Sequence, residues 1–253
     1  MESFHDLPRE RRRLLTNHGT SHYTRHLSLV RPEDYAKASG LPGWNRAHLI
    51  AHVAYNATAL CRLMEWADTG VERPMYDSPT ARNEEIETGA TLVPDALRNL
   101  HDHTVARLCV AWDEASEDAW FHKVRTAQGR TVPASETLWM RSREVWIHAV
   151  DLDNGACFSD IPDAILTTLL HEIPAKWMSA GAATGLVLVN EDDGTEIETS
   201  PTGSASVSPG DRRVVSGSLA AVVRWATGRG DNGVSATDGS GKSAPVPQPP
   251  RWL

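Results

Sequence analysis

Apolar residues recur three and four apart through most of the first 155 residues, then give way to short strand-like runs after Gly155. That change of period limits the chain to a helical part followed by a smaller mixed one. Asp6 and Pro8 signal the start of a first helix, with Leu14, Leu15, Leu27 and Leu29 as its apolar side and Pro32 beyond its end. Asn45 can cap a long second helix in which Leu49, Val53, Leu60 and Leu63 recur at helical intervals until Gly70 stops it. Residues 74–82 read as irregular. Pro94 opens a third helix with Leu97, Leu100, Val105, Leu108 and Trp112 available for packing. Residues 121–134 read as a hairpin turning at Gln128 and Gly129, and Pro133 leads into a fourth helix. Four long amphipathic helices predict a bundle over residues 1–155.

Residues 156–253 read as a smaller α+β domain. A helix over 161–180 carries Pro174 as a point of interruption, and 185–190, 195–199, 204–209 and 212–217 are strand candidates. One more helix, SLAAVVRWATGRG, precedes a Gly-, Ser- and Pro-rich tail read as a mobile surface segment, with Trp252 and Leu253 able to dock its end.

Charge decides the class of partner. A formal net charge of −8 leaves no basic stripe to neutralise phosphates, which excludes nucleic acid or an anionic membrane as the main partner and favours a small molecule. The opening MESFHDLPRERRRLL has no apolar core of the signal-peptide kind, and no stretch reaches membrane-spanning length, so a cytoplasmic setting is expected; separately, a monomer is expected. Cys61, Cys109 and Cys157 are far apart and read as packed residues rather than a disulfide or thiolate site.

Within WMRSREVWIHAVDLDNG, Arg141, Glu144, His148 and Asp151 fall three, four and three apart, which lines them along one helical stripe. Such a stripe is an ordinary solvated face when it stands alone, with ion pairs worth tenths of a kcal/mol. His48, His52 and Asn56 form a second stripe on the second helix. Two polar stripes facing each other inside a bundle can hold a divalent transition metal such as zinc, and three protein ligands would leave coordination positions open for chemistry.

GWNRAHLIAHVAYN, RSREVWIHAVD, PDALRNLHDH and the ending PPRWL together resemble the mycothiol-dependent maleylpyruvate isomerases, within the superfamily of DinB-like metal-binding four-helix bundles. The resemblance covers nearly the whole chain. It implies a divalent metal, usually zinc, on His52, Glu144 and His148, and mycothiol as cosubstrate. It further implies isomerisation of maleylpyruvate to fumarylpyruvate in the gentisate route of aromatic degradation. Asp151 matches a functional Asp of the family, and Arg224 matches its functional Arg in the second domain, which would put the active site between the domains. Arg229 is the weaker candidate for that cation, and Trp44, beside Gly43, is a candidate for the pocket mouth. The chemistry agrees with a thiol cosubstrate. Addition of a thiolate turns a cis double bond into a single bond free to rotate, and no cysteine of the chain lies on the motif face. A metal-dependent mycothiol S-transferase and a metal-free binding module remain the two alternatives. His48 is a weak competitor as ligand, while His101 and His103 read as surface groups.

Overall fold

The computed structural model describes residues 2–182, 185–199 and 212–252. Pro8–Cys157 forms one compact unit, and the residues before and after it form another. The first unit contains α1 (Arg9–Ser28), α2 (Arg46–Thr69), α3 (Pro79–Ala90), α4 (Pro94–Glu114), the hairpin β1 (Lys123–Arg125) and β2 (Thr131–Pro133), and α5 (Glu136–Asp151). Helix α2 packs against α3, α4 and α5, and α1 packs against α5.

Helix α2 starts where the Asn45 side chain accepts the His48 N–H at 3.0 Å and ends at Gly70, whose φ of 73° suits glycine. Leu49, Ile50, Val53, Leu60 and Leu63 along it are fully buried. Each contributes about 1.5–3 kcal/mol by burial. Helix propensities differ by less than about 1 kcal/mol per ordinary residue, so packing decides that this segment is helical. Helix α1 comes close to α5 at Gly19, where an added Cβ would sit 2.5 Å from Trp146 Nε1. The Trp146 indole N–H donates to the Leu15 carbonyl in the same contact, at 3.3 Å.

Three local expectations are corrected here. Residues 79–90, taken in part as irregular, form helix α3: Ser78 accepts the Ala81 N–H at 3.0 Å and Pro79 occupies the first helical position. On α1, Leu14 and Leu29 are 40% and 59% exposed, and the buried side is Thr16, Gly19, Tyr23, His26 and Leu27. His101 is buried rather than at the surface, with Nε2 3.0 Å from Thr24 Oγ1 and its ring 5.2 Å from that of Tyr23. Burial, aided by the charge of Arg141, pushes its pKa down to about 3, so the ring is neutral. His103 is exposed, as expected.

The second unit holds α6 (Asp163–Ser179), β3 (Leu186–Asn190), β4 (Thr195–Glu198), β5 (Arg213–Gly217), α7 (Leu219–Ala226), β6 (Val234–Asp238) and β7 (Ser243–Ala244). Among the described residues these strands form one sheet in the order β4, β3, β5, β6, β7. Only β3 and β5 run parallel, with Leu188 opposite Val215. Trp177 of α6 meets Trp225 of α7 edge to face at 6.0 Å, and the Trp225 indole donates to the Pro247 carbonyl at 2.8 Å. The segment before Pro8 joins this unit through Phe4, whose backbone N–H donates to Thr168 Oγ1 at 2.7 Å.

Helix α6 runs through Pro174 without breaking. The tail read as mobile instead supplies β6 and β7, and buried Trp252 lies under the Lys176 ammonium at 5.5 Å. The strand candidate at 204–209 and the docking residue Leu253 lie outside the described residues. No helix among the described residues is long and apolar enough to cross a membrane.

Candidate metal centre

The polar stripe of α5 faces inward. Arg141 and Asp151 are each 1% exposed, which rules out a solvated face. Arg141 reaches α2, where its Nη1 donates to the Val53 carbonyl at 2.7 Å and to Asn56 Oδ1 at 3.1 Å. Burial pulls its pKa down to about 10, against the opposing attraction of Glu144, so it stays charged at neutral pH. A buried cation costs several kcal/mol unless a negative group answers it, and Glu144 lies one turn along the helix.

His52 Nε2 lies 2.9 Å and His148 Nε2 3.1 Å from the same oxygen, Glu144 Oε2. One ligand atom from each of these residues falls within 4.8 Å of the other two. The imidazole rings meet edge to face at 5.1 Å, and Trp44 covers His52 at 5.3 Å. On the far side of the His148 ring, Nδ1 donates to Asp151 Oδ2 at 2.8 Å. That bond leaves the neutral ring with a bare lone pair on Nε2, aimed at a carboxylate oxygen that can only accept. Two acceptors 3.1 Å apart need a positive charge between them. A proton can serve, and so can a metal ion, for which two imidazoles and a carboxylate are a suitable donor set.

Ionisation follows the same geometry. Burial works against charge on His148, but its hydrogen bonds to Asp151 and Glu144 outweigh that and hold its pKa above the ordinary value. For Glu144, burial would favour the acid, yet the hydrogen bonds from His148 and His52 keep its carboxyl well below the usual range. His52 goes the other way, because burial outweighs the pull of Glu144 and lowers its pKa.

The ends of the two helices that carry the candidate ligands are fastened by a residue that belongs to neither polar stripe. Arg46, in the first turn of α2, donates through Nε to the Leu152 carbonyl at 2.6 Å and through Nη2 to the Asp153 carbonyl at 2.7 Å. These carbonyls close α5, where orphan acceptors and the negative end of the helix dipole favour a cation. Gly40 adds a backbone bond, its N–H donating to the Asp151 carbonyl at 2.7 Å. His52 is thereby held two turns from one end of the clasp and His148 one turn from the other.

A family model described as the mycothiol maleylpyruvate isomerase N-terminal domain matches residues 17–153. The chain belongs to this family. A solved mycothiol-dependent maleylpyruvate isomerase is 62% identical over 100% of both chains, with a TM-score of 0.92. The crystal structure of an H52A mutant of the mycothiol-dependent maleylpyruvate isomerase is similar over the same span, at 61% identity and a TM-score of 0.92. Among curated proteins no match was found.

Of the candidate site residues singled out in the sequence, His52, Glu144, His148, Asp151 and Trp44 come together in this centre. His48 does not join them: its ring bonds Asn45 Oδ1 at 2.6 Å and Glu87 Oε2 at 3.3 Å. Arg224 and Arg229 belong to the other unit, where Arg224 donates to the Asn232 carbonyl and Arg229 Nη1 to the Thr227 carbonyl at 2.6 Å. A surface cavity of about 440 Å³ lined by Cys61, Met64 and Arg107 involves none of the centre's residues.

Asp151 supplies a first test. Replacing it with Asn keeps an acceptor for His148 but removes the charge that makes the imidazole a stronger donor to a metal. Metal affinity of Asp151→Asn, measured by competition with a chromogenic chelator, is expected to fall about 10- to 100-fold. Unchanged affinity would reduce Asp151 to a structural group at the end of α5.

Proposed function

We propose that this protein is a mycothiol-dependent maleylpyruvate isomerase, which converts the cis substrate to fumarylpyruvate in the gentisate route, with zinc on His52, Glu144 and His148. The observation that carries the reading is the inward-facing triad in a chain 62% identical, end to end, to an enzyme of that description. His52, Glu144 and His148 form a His2Glu set, which suits zinc and leaves a position open. When bound, the metal supplies a Lewis acid that favours the thiolate form of a thiol.

The balance of the reaction needs no oxidant. The thiolate adds to the double-bond carbon β to the ketone, and the displaced π pair becomes an enolate. Rotation about the new single bond follows, and collapse of the enolate expels the same thiolate, restoring the double bond in the trans form. The residues here have three tasks. Asp151 holds the His148 ring with Nε2 directed into the centre, Trp44 packs beside the His52 ring, and Glu144 keeps its negative charge for the cation. Arg224 is assigned, from the family resemblance, to receive the substrate carboxylate or the developing enolate, for which a guanidinium fork is suited. A cytoplasmic setting accords with three free cysteines.

The deciding experiment is an assay with maleylpyruvate in the presence and absence of mycothiol, with the product identified. Turnover to fumarylpyruvate is expected only when the thiol is present, because among the described residues no cysteine joins the cluster of His52, Glu144 and His148. Full activity in rigorously thiol-free buffer would sink the addition mechanism. A stable mycothiol conjugate as product would make the protein an S-transferase.

A further inference from the structure

Helix α3 carries a cation to the edge of the metal centre, and nothing described so far gives it a role. Arg82 is half-buried near the start of that helix. Its Nη2 lies 3.3 Å from Nδ1 of His52, on the ring edge opposite Glu144. Its Nη1 donates to Asn83 Oδ1 at 3.3 Å, and its guanidinium carbon stands 5.9 Å from the centre of the Tyr76 ring. No carboxylate among the described residues lies within ion-pair distance of it. A partly desolvated arginine normally has an anionic partner, because the cost of removing its charge from water is otherwise unanswered.

The contact with His52 cannot survive metal loading as it stands. A guanidinium only donates, so His52 Nδ1 accepts from Arg82 and the ring proton lies on Nε2, towards Glu144. A metal held by Nε2 would use that lone pair and leave the ring proton on Nδ1, where it would face the N–H of Arg82. Two donors cannot share one hydrogen bond. Filling the centre would therefore release the Arg82 fork at its rim.

We propose that Arg82, released from His52 when the metal site fills, binds one carboxylate of a small dicarboxylate substrate beside the centre. The inference rests on the isomerase reading for the identity of the substrate. Its geometry rests on a guanidinium with no carboxylate partner among the described residues and on the donor conflict at His52.

The test uses zinc-loaded wild type, Arg82→Met and Arg82→Lys, with three measurements. Metal content by mass spectrometry is expected to be equal in all three. Calorimetric titration with maleate, in buffer without thiol, is expected to show binding weakened on the order of 10- to 100-fold in Arg82→Met and partly recovered in Arg82→Lys. The KM for maleylpyruvate is expected to rise by a similar factor, with kcat changed less. Equal KM and equal maleate binding in a fully loaded Arg82→Met protein overturn the proposal. So does loss of metal with normal KM in the loaded fraction, which would make Arg82 a support for the His52 ring. Arg82-dependent maleate binding by a wild type that does not isomerise maleylpyruvate would overturn the isomerase reading alone.

Discussion

His52→Ala, purified without added metal, is expected to carry almost none of the roughly one equivalent of divalent metal expected in the wild type. Glu144 and His148 alone come from one turn of one helix and can offer only two of the three donors. Loss of a group that merely supports a ligand weakens binding about 10- to 100-fold, so loss of a ligand should exceed 100-fold. Activity with maleylpyruvate and mycothiol should vanish with the metal, while far-ultraviolet circular dichroism stays helical. The matched control is His48→Ala, whose ring is engaged with Asn45 and Glu87. Full metal in His52→Ala together with loss in His48→Ala would mean that the other histidine of the α2 stripe is the ligand.

For Arg224 the expected effect is on turnover rather than on metal. Arg224→Ala should cost on the order of 2 to 4 kcal/mol in kcat/KM if the guanidinium acts on developing charge. Arg224→Lys retains the charge but loses the two-pronged geometry, so it should recover only part of the loss. In the structure the side chain has no carboxylate within ion-pair distance among the described residues, and its one recorded acceptor is the Asn232 carbonyl. Near-normal kcat/KM in Arg224→Ala would show that this bond is structural and would move the search to Arg229.

What could be read from the chain was mostly what short-range periodicity controls. Asn45, Gly70, Pro94 and Gly129 marked their elements because each acts on its own backbone. The two polar stripes were legible for a similar reason, since their spacing along α2 and α5 survives whatever the helices pack against, but the choice of His52, Glu144 and His148 within them came from the family resemblance. Helix α3 was missed because its apolar face is short: only Ile86 and Gly89 are buried. Ser78 followed by Pro79 was the signal that could have found it, and with it Arg82. His101 was misjudged because its burial depends on Thr24 and Tyr23, 77 and 78 positions earlier. Strand β6, reading VSATD, carries only one buried residue and owes its conformation to pairing with β5, which no local pattern reveals.

The Arg46 clasp has a consequence for the order of events as the chain folds. Its hydrogen bonds span 106 and 107 positions, and His52 meets Glu144 across 92. Contacts of such separation pay their loop-closure cost before they return anything, and they form late compared with the turns of a single helix. A chain emerging from the ribosome therefore has no three-donor site until α5 has been made and docked. An ion held by His52, Glu144 and His148 would therefore not nucleate the bundle. It would act as a lock applied afterwards, adding to stability by mass action on a structure that is already closed.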